Sequence, residues 1–229
     1  MSRNKKSVLQ LPVERQRTRR SRELRKVQLV RCAIEAFAAH GISRASHADV
    51  AALAHVSVPA VFSYFPTRES LVNVALTEVE EFLSSLVTSG ASTSKTTARD
   101  RLVKMVLNCV DSQQSHPEYI RIFFNWGASI QDPSWERYLV FFNKMIVFFE
   151  SVLLDGKRDG SVSKELDTNE AAHIIVGETN MIIMMLLAGI SRERVASFIE
   201  HYVDAAIHFQ IGRGAVAAKV KKGKSRPKA

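Results

Sequence analysis

The sequence predicts an all-α protein of about nine helices: an N-terminal helix-turn-helix domain of three helices, then a longer C-terminal helical domain. Three observations carry this. Apolar residues recur three and four apart in nearly every segment, and no alternating run is bounded by hairpin turns. Ser46–Glu69 reads as two short helices joined by a tight turn and ended by a proline. Charge is segregated, with basic ends around an acidic body.

Residues 1–20 form a basic arm. Helix 1 is expected over 22–39, with Leu24, Val27, Val30, Ile34 and Phe37 as one apolar stripe, and Gly41 caps its end. Ser46 and Asp49 make a capping-box pair for helix 2. His55-Val56 is the turn, Ser57 caps helix 3, and Pro59 sits in its first turn. Phe65 precedes Pro66 and so leaves the helical region. Thr67 caps helix 4, which runs to about Thr88. The polar stretch GASTSKTT is the only linker in the reading. Helices follow over 97–115, from Pro117, from Pro133 and over 168–188, and Ser191 caps the last. Asp155–Asp167 is expected to be a loop, and the helix after it, apolar nearly all round, to be buried on several sides. The domains are therefore 1–20, 21–68, 69–210 and a basic tail, 211–229.

Residues 1–31 carry 11 Lys and Arg against 2 acids, and residues 211–229 carry 7 against none. Residues 32–210 hold the remaining 14 basic side chains against 21 acids, a net of −7. This is the asymmetry of a polyanion binder, although a merely solvated tail has the same composition. Cys32 and Cys109 lie far apart with no CxxC, which fits a reducing cytoplasm. The N-terminus lacks the apolar core of a signal peptide, and the longest apolar run, Met181–Ile190, is half a membrane span. A cytoplasmic, nucleoid-associated protein without a membrane partner is expected. The 7 histidines are scattered, and HExxH, GxSxG and a Gly-rich phosphate loop are absent. No catalytic residue, metal or cofactor is expected. Glu178, inside an apolar helix, reads as a buried hydrogen-bonded acid.

RQRTR at Arg15–Arg19, SHADVAALAHVSV at Ser46–Val58 and VFSYFPTRESLV at Val61–Val72 resemble the DNA-binding domain of the TetR family of bacterial regulators. More narrowly, they resemble its LuxR/HapR/SmcR subgroup of quorum-sensing master regulators. The likeness is dense from about Arg15 to Leu86 and thins through Phe123–Ser129, Asp132 and Trp135. It implies a homodimer on pseudo-palindromic double-stranded DNA, paired through its last two helices. The recognition helix departs from the subgroup: Ala60 and Ser63 stand where threonine and asparagine are usual. A lost amide removes a bidentate-capable group, so the operator preference is expected to differ.

On this resemblance Arg15, Arg17 and Arg19 reach the minor groove, where planar guanidinium groups suit a narrow, negative channel. Ser57, Val58, Pro59, Ala60, Ser63 and Tyr64 occupy the recognition helix, and His47, Thr67 and Arg68 are placed for phosphate. Each also reads as a local cap or packing residue. Phe82, Met105, Cys109, Phe123, Trp126, Phe142 and Met145 either line a pocket for a small apolar effector or simply fill the core. Val195, Phe198, Ile199, Tyr202 and Ala206 form the expected dimer interface. The alternative function is a local, ligand-induced repressor of an adjacent efflux or catabolic operon. A rival from another class is a small-molecule or membrane-surface binder using its basic tails.

Overall fold

The computed structural model describes residues 13–91 and 96–208, with side chains from Ser21 onward except that of Ala91. These residues form nine α-helices and no strand: α1 (Val13–His40), α2 (His47–Ala54), α3 (Val58–Tyr64), α4 (Arg68–Ala91), α5 (Ala98–Ser115), α6 (Pro117–Ala128), α7 (Trp135–Asp159), α8 (Thr168–Leu187) and α9 (Arg192–Ile207). They divide into two compact units. The first holds α1 to α3, α4 as far as Phe82, and residues 117–135, which include α6. The second holds α4 from Leu83, α5, and the chain from Glu136 through α7, α8 and α9. The expected boundary after residue 68 therefore does not mark the division, because α6 packs on α1.

In the first unit α1 is longer than its apolar stripe foretells. No Gly or Pro interrupts residues 13–40, so the helix extends back through Arg15, Arg17 and Arg19, which the sequence reading leaves in an arm. Leu29, Ile34 and Phe37 are buried, whereas Leu24 and Val27, expected on the inner stripe, are exposed. Gly41 ends the helix at φ +82°, its N–H donating to the Phe37 carbonyl at 2.8 Å. Val50, Val61, Leu71, Val79, Ile122 and Trp126 complete this core.

In the second unit α8 packs against α9 and α5. A Cβ on Gly90 would meet backbone atoms of Met105 at 2.9 Å, so α4 and α5 approach there closely enough to require glycine. Arg99 binds Asp204 through two parallel hydrogen bonds of 2.5 and 2.9 Å, and Arg192 binds Asp111 at 2.7 and 2.9 Å. The helix α7 runs on to Asp159, into the stretch expected to be loop. The expectation that α8 is buried on several sides is corrected. Ala171, Ala172, Ile175 and Ile182 are buried, but Met181, Met184 and Leu187 are 57%, 50% and 55% exposed.

Candidate nucleic-acid interface

The site is built on the first unit. At the start of α2 the Ser46 hydroxyl accepts from the Asp49 N–H, and the Asp49 carboxylate accepts from the Ser46 N–H at 2.8 Å. This reciprocal pair satisfies two N–H groups that the first helical turn leaves without partners. It also holds the Asp49 carboxyl below the usual carboxylate range, chiefly through the Ser46 side chain. The turn between α2 and α3 is made by His55 in the left-handed region at φ 53°. From there the chain enters α3 at Ser57, with Pro59 in the first turn.

Only Val61 of α3 is buried. Ser57, Val58, Pro59 and Ser63 are exposed, and Ala60 and Tyr64 are half-buried. Six of the recognition-helix residues named from sequence therefore lie on α3 or at its N-cap, free of the core. Ser57 departs from expectation in a useful way. It occupies the N-cap position but makes no side-chain cap bond, so its hydroxyl stays available. Ser63 donates to the Ala60 carbonyl at 2.7 Å, which leaves its oxygen able to accept. Over the Tyr64 ring lies the Arg22 guanidinium, 5.7 Å from the centroid, within cation–π range. Arg22 is a contact the sequence reading missed. It sits in a run of basic residues with nothing local to pair it with a tyrosine 42 positions on.

Three residues expected at phosphate are already engaged in the fold. His47 is buried, its Nε2–H donating to the Phe65 carbonyl at 2.8 Å and its ring stacked on Phe62 at 4.0 Å. It fastens the start of α2 to the end of α3 and is withdrawn from the surface. Thr67 caps α4, accepting from the Ser70 N–H at 3.0 Å. Arg68 donates to the Ile42 carbonyl in the turn before α2. Arg15, Arg17 and Arg19 lie in α1, and their side chains fall outside the described residues.

The seven residues named for an effector pocket are shared between the units. In the first, Phe82 is tilted against Tyr119 with centroids 4.4 Å apart, and Phe123 meets Phe124 edge-on at 5.9 Å. Trp126 is fully buried and donates to the Ser134 carbonyl at 2.9 Å. In the second, Met105 is buried against Gly90, while Phe142 and Met145 are half-buried. Cys109 is there too, and burial pushes its thiol up to about 12. A cleft of about 500 Å³ in the first unit is lined by His40, Arg44, Arg121 and Asn125 among others, and by none of those seven. Of the residues named for the dimer interface, Val195, Ile199, Tyr202 and Ala206 are buried within the single chain. Phe198 alone is exposed, at 39%.

Two short helices, a tight turn and an outward second helix define a helix-turn-helix DNA-binding unit. Residues 29–75 match the family described as bacterial regulatory proteins, tetR family. The chain is 28% identical over 191 residues to the HTH-type transcriptional regulator LuxR of Vibrio harveyi, covering 83% of this chain and 93% of that protein. Its fold is that of a TetR-like transcriptional regulator from Rhodococcus sp. RHA1, with TM-score 0.67, 15% identity, and coverage of 81% of this chain and 97% of that one. It is also that of the regulator FadR from Bacillus subtilis in complex with stearoyl-CoA, with TM-score 0.63, 13% identity, and coverage of 80% and 98%. Residues 29–75 are thus a tetR-family DNA-binding domain, and the chain that carries it is a DNA-binding transcriptional regulator.

Proposed function

We propose that the chain is a global regulator of the quorum-sensing type that binds pseudo-palindromic operators as a homodimer. The observation that carries this reading is the 28% identity to the Vibrio harveyi regulator over 83% of the chain, which spans both units. The free hydroxyl of Ser57 and the outward residues of α3 support direct reading of base edges in the major groove. The basic segment Arg15–Arg19 supplies minor-groove contacts.

The dimer is supported by the uncovered side chains of Met181, Met184 and Leu187 on α8 and Phe198 on α9. Large apolar surface left on one chain marks an interaction face. Two recognition helices joined this way raise affinity through effective concentration. An apolar effector acts through the half-buried aromatics of the body, and the protein works in the cytoplasm on the nucleoid.

Genome-wide mapping of bound sites tests the reading. Hundreds of occupied sites are expected. A single site beside the protein's own gene would instead make it a local, ligand-induced repressor.

A further inference from the structure

Ile42 and Ser43, adjacent residues of the turn between α1 and α2, are gripped from two directions. Arg68, at the first position of α4, donates to the Ile42 carbonyl. Asp132, in the loop after α6, accepts from the Ser43 hydroxyl at 3.0 Å. The Asp132 carboxylate is itself fixed by its own loop, accepting from the Ser134 N–H at 2.9 Å and the Ser134 hydroxyl at 2.7 Å. Trp126 of α6 donates to the Ser134 carbonyl at 2.9 Å and is fully buried, so the loop is anchored in the core. Burial alone would raise the Asp132 pKa. The Ser134 and Ser43 hydrogen bonds and the nearby Arg68 charge outweigh it and hold the carboxyl below the usual range. Three residues after Ser43 comes Ser46, the N-cap of α2.

We infer that Asp132 is a positioning residue for DNA binding: through Ser43 it fixes the turn that aims α2 and α3, although it lies 68 positions beyond the recognition helix. The physical reason is preorganisation. A short recognition helix must meet bases and phosphates together, and freedom in the turn before α2 has to be lost again on docking. The two grips remove that freedom beforehand. Neither Ser43 nor Asp132 needs to touch DNA. The inference rests on the reading of the protein as a DNA-binding regulator.

The test is a double-mutant cycle on the full-length protein. The probe is a duplex enriched from a random library by the wild type, titrated at several salt concentrations well below the melting temperature. Ser43→Ala and Asp132→Ala are each expected to weaken binding three- to tenfold. The double variant should be no weaker than the weaker single variant, since both break one contact. The salt slope should stay unchanged, because no phosphate contact is lost. Ser43→Thr, which keeps the hydroxyl, should bind as the wild type does. Unchanged affinity in both single variants, with only melting temperature lowered, would make the contact purely structural and overturn the inference. Additive losses with a flatter salt slope would overturn it too, by placing Ser43 on phosphate. A wild type that binds no duplex would defeat the functional reading itself, a separate failure.

Discussion

Ser46 and Ser57 are both N-cap serines by position, and the structure gives them opposite employment. Ser46 spends its side chain on the capping box of α2, whereas Ser57 makes no such bond. Ser46→Ala should therefore lower stability by about 1–2 kcal/mol, read by urea denaturation. Ser57→Ala should leave that midpoint within about 0.5 kcal/mol of wild type, the scale of an ordinary surface change, and weaken operator binding instead. His55 is the strained residue of the motif, left-handed at φ 53°. An L side chain there costs about 1–2 kcal/mol, and glycine gives back about 0.5–1 kcal/mol in chain entropy. His55→Gly should thus stabilise the fold by about 0.5–1 kcal/mol in the same urea experiment.

Asp132 supplies a pH test at the same scale. Its pKa is lower folded than unfolded, so its contribution is fully present above the unfolded value of about 3.9 and lost as pH falls through the folded one. As pH falls from about 5 through and below the unfolded value, the wild type should lose more melting temperature than Asp132→Asn. Equal losses would show that the carboxylate contributes no folded-state preference for its charge.

At the scale of the element, capping and turn chemistry were legible because they are local. Ser46/Asp49, the His55 turn, Pro59 and Thr67 all fall where short-range rules put them. Direction and partnership were not legible. His47 stands at the solvent-facing start of a helix in the sequence, yet its ring turns inward because Phe62 and the Phe65 carbonyl meet it there. His47→Ala should cost about 1–3 kcal/mol of stability by orphaning a buried carbonyl, without a specific loss of DNA affinity per folded molecule. The apolar period of α1 likewise includes Leu24 and Val27, but among the described residues both stay exposed. Periodicity reports which residues share a face, not whether a neighbour reaches that face. Helix α9 gives the same lesson in reverse. Its stripe reads as a dimer surface, and four of the five residues named from it are consumed by the chain's own core.

At the scale of the whole molecule, the proposed homodimer is assigned to the exposed side chains of Met181, Met184, Leu187 and Phe198. Met181→Glu with Met184→Glu should dissociate the dimer while leaving each chain folded, since desolvating an unpaired carboxylate costs several kcal/mol and these side chains are exposed in the monomer. Sedimentation should show wild-type dimers and variant monomers with equal helical content. A variant that stays dimeric would move the interface elsewhere.

The most direct measurement is selection of random duplex DNA by the full-length protein, followed by titration of the selected sequence against wild type, Ser57→Ala and Tyr64→Phe at one fixed salt concentration. Selection should converge on a pseudo-palindrome whose half-site centres lie about 10–10.5 bp, or a multiple of that, apart. Each variant should bind it about tenfold more weakly, the scale of one lost base or phosphate contact, with urea midpoints unchanged. A selection that does not converge, or variants that bind as the wild type does, would contradict the assignment of α3 as the element that reads DNA.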